Sequence, residues 1–203
     1  MAKRTPKRKF SSLTPADAFD LFQRDNFMAW NLEAPPLPPS AILPAIFKRL
    51  EGFDLETSEA AKELRIDALF GEIIIRHEQM KIWKTAPLST DTLNGFADYI
   101  IAPRRAFVRT PLLCAVEAKR DDFNLGAAQC VGEMYACQWL NAQESFSSNI
   151  YGIVSNGANW QFYKAASNGD LYRSPLLVIT NLPQLLGALD AVFAACAALI
   201  GGK

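Results

Sequence analysis

The chain has 203 residues, of which 50% are apolar, 11% aromatic and 21% charged. That much apolar material excludes a wholly disordered chain and is enough for one domain-sized core. Formal net charge is zero, but Lys3, Arg4, Lys7, Arg8 and Lys9 crowd the first nine positions, leaving 16 basic against 21 acidic residues, −5, in the remainder. A mildly acidic body argues against a strong duplex binder, because phosphate contacts dominate such affinity. The basic tail reads either as a solvated end or as a phosphate-seeking arm, with Lys3 and Arg4 as candidate nucleic-acid contacts.

Cys114, Cys130, Cys137 and Cys196 form no C-x-x-C pair and sit in apolar or helical stretches, so they read as buried free thiols of a reducing compartment. The basic start runs into polar residues rather than an apolar signal region, so a cytoplasmic location is expected. The stretch Leu182 to Ile200 is apolar but carries Pro183, Gln184 and Asp190, and it reads as a core or interface helix rather than a membrane span.

In chain order, Thr14-Pro15 is a helix start, with Thr14 as cap and Pro15 at the first position, and the helix is expected to run to about Trp30. "EAPPLPPS", 33–40, is a stiff connector, followed by a short helix over Ser40 to Leu50. Thr57 or Ser58 caps a long helix over 58–78, whose Ala61, Leu64, Ala68, Leu69 and Ile73 recur at helical spacing. "MKIWKTAPL", "GFADYIIAP" and "TPLLCAVEAK" then read as three strands, and a helix follows from Leu125 to about Asn141. "NIYGIVSNG" turns at Asn156-Gly157 into "NWQFYKAA", and Asn168-Gly169 turns again into "DLYRSPLLVI" before the last helix. The order predicts an α/β fold: a mixed central sheet flanked by helices, with residues 1–56 as a basic tail and helical extension and 57–203 as the main domain.

The chemistry concentrates in "LLCAVEAKRDD", where an apolar strand delivers Glu117 and Lys119 on one face and then breaks into charge. Asp98 lies in the preceding strand, and if the two strands are antiparallel neighbours their ends bring Asp98 beside Glu117. Two carboxylates without a histidine cluster suit a hard cation such as Mg²⁺, or Mn²⁺ in its place, and a neighbouring lysine can position a water. The lone His77 cannot build a zinc site. The same three residues can instead form an ion-pair cluster at a sheet edge. Arg104, Arg105 and Arg109 cluster in the loop between these strands, either as a local basic patch for DNA or as a solvated hairpin tip. Trp160 and Phe162 alternate along a strand and read as core, while Tyr163 is placed at the surface.

"ADYII … LLCAVEAKRDD" resembles the PD-(D/E)XK, restriction-endonuclease-like, nuclease superfamily, with Asp98 as the first motif acid, Glu117 the second and Lys119 the lysine. "SEAAKELRIDALF" resembles the helix before the core in the N-terminal nuclease domain of type I restriction enzyme motor subunits. Gln129 matches a glutamine that often follows on the next helix, and "IYGIVSNGANWQFYKA" is similar to the strand pair after it. The similarity spans roughly residues 57–165. It departs from the pattern at Ala97, where proline is usual, and at Gln129, which is followed four places on by Glu133 rather than by the tyrosine of RecB-type members.

The resemblance implies a Mg²⁺-dependent endonuclease acting on DNA. Asp98, Glu117 and the backbone carbonyl of Ala118 would hold the ion, and Lys119 would orient or deprotonate water. Gln129 would orient a motif side chain or touch the DNA backbone. Glu59, for which Glu63 and Glu72 are alternatives on the same helix, would hold a second ion or a water. A non-catalytic module of this fold binding nucleic acid or a protein partner is the competing reading. Neither reading calls for a membrane or a small-molecule organic cofactor, and cutting both strands of a duplex would favour a homodimer.

Overall fold

The structure, a computed structural model, describes residues 6–118 and 122–200, with Glu59 described in its backbone only. Lys3, Arg4 and Lys119 therefore lie outside the described residues. Among those described, a nine-stranded mixed sheet is flanked by helices on both faces, an α/β architecture as the sequence leads one to expect.

The chain begins with β1 (Arg8–Lys9), a 3-10 turn (Phe10–Ser12) and α1 (Pro15–Phe22), then β2 (Met28–Ala29), α2 (Leu43–Leu50) and α3 (Glu59–Ile74). The long hairpin β3 (Met80–Ser89) and β4 (Leu93–Pro103) follows, then β5 (Cys114–Ala118), α4 (Phe123–Gln143), β6 (Ile150–Ser155) and β7 (Asn159–Ala165). The short strands β8 (Leu171–Arg173) and β9 (Leu177–Val178) and the closing helix α5 (Leu182–Ala198) complete it. β3, β4 and β5 are successive antiparallel neighbours. β6 runs parallel to β5 because α4 carries the chain back across the sheet. β7 and β8 continue antiparallel, and β2 closes the edge parallel to β8.

α1 starts as expected: the Thr14 hydroxyl accepts the Asp17 N–H, and Asp17 accepts the Thr14 N–H at 2.7 Å. It ends eight residues before Trp30, because Gln23 turns left-handed (φ 54°) and Met28–Ala29 then pairs with the end of β8. α3 is capped by Ser58 and ends at Ile74, short of the expected 78. The stretch read as one strand from Asp170 to Ile179 is two, since Ser174-Pro175 interrupts it and Pro175 has no N–H to pair. The turn after β6 is the anticipated one: Asn156 Oδ1 accepts the N–H groups of Ala158 and Asn159, and Gly157 takes the left-handed conformation (φ 82°).

Two apolar layers sandwich the sheet. One packs α4 and α1 on it, with Phe10, Leu13 and Phe22 from the N-terminal segment. The other packs α3 and α5, with Leu43 from α2. The first fifty residues thus contribute to both faces. Trp160 and Phe162 are core residues as expected, whereas Tyr163, placed at the surface from sequence, is 1% exposed because its strand is covered on both faces. All four cysteines are buried and free. The segment Ile179–Ala198 is long and apolar enough to cross a membrane by length and composition, but Leu185, Leu189, Val192, Phe193 and Cys196 are buried in the α3 layer.

Candidate active site

Tyr99 pairs with Val116 across β4 and β5, so the next residues along both strands, Asp98 and Glu117, stand opposite each other. Both face the α4 layer. Ala115, two before Glu117, and Ile100, two after Asp98, belong to that layer. Asp98 Oδ2 accepts the Ala118 N–H at 2.7 Å, so the first carboxylate is tied to the backbone of the strand that carries the second.

Placing Asp98 on that face requires a break in the pleat. Along β4, Leu93 and Ala97 face α4 at odd positions, and Ile100 and Ala102 face it at even ones. β3 slips in step. Lys84 reaches the α3 acids Glu63 and Asp67, yet Ala86 and Leu88 face α4. At the slip on β3, Thr85 has φ 51°, a left-handed conformation that a β-branched residue adopts at a cost of roughly 1–2 kcal/mol. The strained residue sits across the hairpin from Asp98, between the pairs Lys84–Tyr99 and Ala86–Ala97.

α4 supplies the roof. Its first turn is capped by Asp122, whose Oδ1 accepts the N–H groups of Asn124 and Leu125 at 3.0 Å. One turn later Gln129 Nε2 donates to Glu117 Oε2 at 2.7 Å and to Glu133 Oε1 at 3.1 Å. Glu133, one turn beyond Gln129, is fully buried and lies against Glu117. Burial first, then the charge and hydrogen bond of Glu117, push its carboxyl well above the ordinary range, with Asp98 adding to the effect and the Gln129 amide opposing it. Glu133 therefore holds its proton to a higher pH than an ordinary glutamate does. At the far end of α4, Asn141 grips the residue leading into β5: its Oδ1 accepts the Leu112 N–H at 2.7 Å and its Nδ2 donates to the Leu112 carbonyl at 2.8 Å.

The structure thus brings Asp98, Glu117, Ala118 and Gln129 together. It separates Arg104 and Arg105 from them. These lie just past the C-terminal end of β4, six and seven residues beyond Asp98, about 20 Å at the rise of a strand. There Arg104 Nε donates to the Glu78 carbonyl and Arg105 Nη1 to that of Thr110. On α3, Glu72 accepts the N–H and hydroxyl of Ser40, and Glu63 pairs with Lys84 at 2.9 Å on the opposite face of the sheet from Glu117. Glu59 stands in the first turn of α3.

Sequence reasoning missed Glu133 and Asn141. The signal for Glu133 was its four-residue spacing from Gln129, which puts both on one face of a helix. Nothing local marks Asn141, whose partner is 29 positions away.

The donor set at the site is all oxygen, which fits Mg²⁺ or Mn²⁺ and not a soft metal. Among the described residues no group of three or more His, Cys, Asp or Glu is placed to hold an ion. Magnesium is commonly held by one or two carboxylates with waters and substrate phosphate, so Asp98, Glu117 and one carbonyl are chemically sufficient. No protein-family model matches the chain, and no curated protein matches it.

Proposed function

We propose that this protein is a Mg²⁺-dependent DNA nuclease of the PD-(D/E)XK superfamily. The observation that carries this reading is the apposition of Asp98 and Glu117 on neighbouring antiparallel strands, each already tied by a hydrogen bond to the Ala118 N–H or the Gln129 amide. Asp98, Glu117 and the Ala118 carbonyl would hold Mg²⁺ or Mn²⁺, and the ion supplies positive charge where a phosphodiester gains negative charge in its transition state. Gln129 keeps the Glu117 carboxylate oriented through the bond from its Nε2. Lys119, two residues after Glu117, orients or deprotonates the attacking water. The bond from phosphorus to the leaving sugar oxygen then breaks as the water oxygen adds.

The alternative, a non-catalytic module of this fold that binds nucleic acid or a protein, draws on the enclosure of Glu117, which is 1% exposed. The test is incubation with single-stranded, duplex and branched DNA in Mg²⁺ or Mn²⁺, beside Glu117→Gln and Lys119→Ala. Cutting by the parent chain that needs metal and is lost in both variants supports the nuclease. No cutting, or cutting that survives both substitutions, refutes it and leaves the binding module.

A further inference from the structure

The β3–β4 hairpin runs on past the end of β5. Val116 pairs with Tyr99, so Ala118 is level with Ala97, and β4 begins at Leu93, about 13 Å beyond that level at the rise of a strand. There β1 takes up the edge of β4 that β5 leaves: Asn94 pairs with Lys9 on this edge and with Ser89 of β3 on the other. Asp98 stands at the break between the two neighbours, tied to the Ala118 N–H. The order β3-β4-β1 thus forms a three-stranded ribbon that starts at the carboxylate pair and extends away from it.

One face of the ribbon is covered and the other is bare. Ala86, Leu88, Leu93 and Ala97 are buried with Phe10 and Leu13 in the α4 layer. Alternation sends Pro87, Ser89, Asn94 and Phe96 to the other face. The α3 layer takes no hairpin residue between Lys84 and Tyr99, so all four are exposed, Phe96 by 60%. Lys9, in register with Asn94, lies on this bare face, as does Lys7, whose ammonium donates to the Ser89 hydroxyl at 2.7 Å and to the Thr90 carbonyl. Neither lysine has a carboxylate within ion-pair distance among the described residues. The other cations of the ribbon are balanced: Arg8, on the covered face, by Asp17 and Lys84, at the boundary with α3, by Glu63 and Asp67. Besides Asp98 the hairpin carries one acid, Asp91 in its turn, against Lys7, Lys9 and the Lys3 and Arg4 that precede them in sequence. Uncompensated ammonium groups beside an exposed ring, on a flat surface continuous with two carboxylates, suit a phosphate backbone and its sugars and bases.

We infer that the bare face of this ribbon is where the DNA backbone rests beside the site, with Lys7 and Lys9 on phosphates and Phe96 against the sugar or base between them and the pair. Asn94 is four residues from Asp98, so the lysines meet the backbone about 13 Å, or about four base pairs, from the bond to be cut. This rests on the nuclease reading for its purpose but not for its measurement. Fluorescence anisotropy in EDTA follows a labelled blunt duplex between about 50 and 200 mM salt. It compares the parent chain with Lys7→Gln/Lys9→Gln, Lys9→Gln alone, Phe96→Ser, and Arg109→Gln in the loop beyond the far end of β4, each checked for native circular dichroism. The double lysine variant is expected to flatten the slope of log affinity against log salt by about 1.8 and to bind about tenfold more weakly at 0.1 M salt. Lys9→Gln, which loses no hydrogen bond among the described residues, gives half of that change in slope. Phe96→Ser binds several-fold more weakly at an unchanged slope, and Arg109→Gln binds as the parent does. A parent chain that binds no duplex overturns the inference, as does a slope unchanged by the lysine substitutions, an affinity unchanged by Phe96→Ser, or an equal loss from Arg109→Gln. Sedimentation that shows a dimer dissociated by Phe96→Ser also overturns it, since the face then belongs to a second copy of the chain. Because no metal is present, the lysine-dependent slope without cutting sinks the nuclease alone, and metal-dependent cutting with an unchanged slope sinks the ribbon alone.

Discussion

Replacing Asn141 by leucine tests whether α4 clamps the strand that carries Glu117. In the native chain one amide satisfies both backbone groups of Leu112, at 2.7 and 2.8 Å, in a place where Asn141 is 1% and Leu112 4% exposed. Leucine is close in size, so the change removes two hydrogen bonds without leaving a large hole. It strands one N–H and one C=O away from water, each costing about 1–3 kcal/mol. Set against a modest gain from the added apolar surface, the net loss is about 3 kcal/mol, a large share of the 5–15 kcal/mol typical of a domain. Urea unfolding followed by tryptophan fluorescence measures it, and with a slope near 2 kcal/mol per M the midpoint falls by about 1.5 M. The start of β5 is then no longer fixed, and any metal-dependent cutting weakens with it. A midpoint shift below about 0.5 M with an unchanged slope would show that Leu112 finds other partners and that the clamp is not what holds β5.

Glu133 carries a pH signature. Its carboxyl keeps a proton in the folded chain above the ordinary glutamate value near 4.3, so above that pH the folded state binds more protons than the unfolded one and stability falls as pH rises towards the raised folded value. The slope reaches at most about 1.4 kcal/mol per pH unit. In EDTA, Glu133→Gln is expected to flatten it and to be the more stable protein at pH 8; identical slopes in urea melts at pH 5, 6.5 and 8 would count against a protonated Glu133. Gly187 lies under the proline-rich connector, where a Cβ would come within 2.2 Å of the Pro35 carbonyl oxygen. Gly187→Ala should cost about 2 kcal/mol. It should also expose residues 33–40 to protease, and unchanged proteolysis would mean that the connector is not seated by this contact. Thr85→Gly removes the left-handed strain opposite Asp98 and should gain up to about 1 kcal/mol after the entropy cost of glycine, read as a rise in melting temperature. A drop instead would show that the Thr85 side chain supports the hairpin.

The amino-acid order alone determined the elements and their type wherever a signal was local. The Thr14 cap with Pro15, the Asn156-Gly157 turn and the apolar strands before Asp98 and Glu117 all act through neighbours a few residues away. It also brought Asp98 and Glu117 into one candidate pair, because alternation along a strand and a hairpin connection between strands are properties of the chain itself. Other features depended on distant partners. α1 stops at Phe22 because the following residues find β8 nearly 150 positions away, and Tyr163 is buried because helices cover both faces of its strand. Arg104 and Arg105, close to the motif in sequence, are carried to the far end of β4, while Gln129 and Glu133 are brought back over Glu117 by α4. The slip of the pleat at Thr85, which turns Asp98 to the face of Glu117, is a compromise among three strands and two apolar layers, and no stretch of sequence contains all of them.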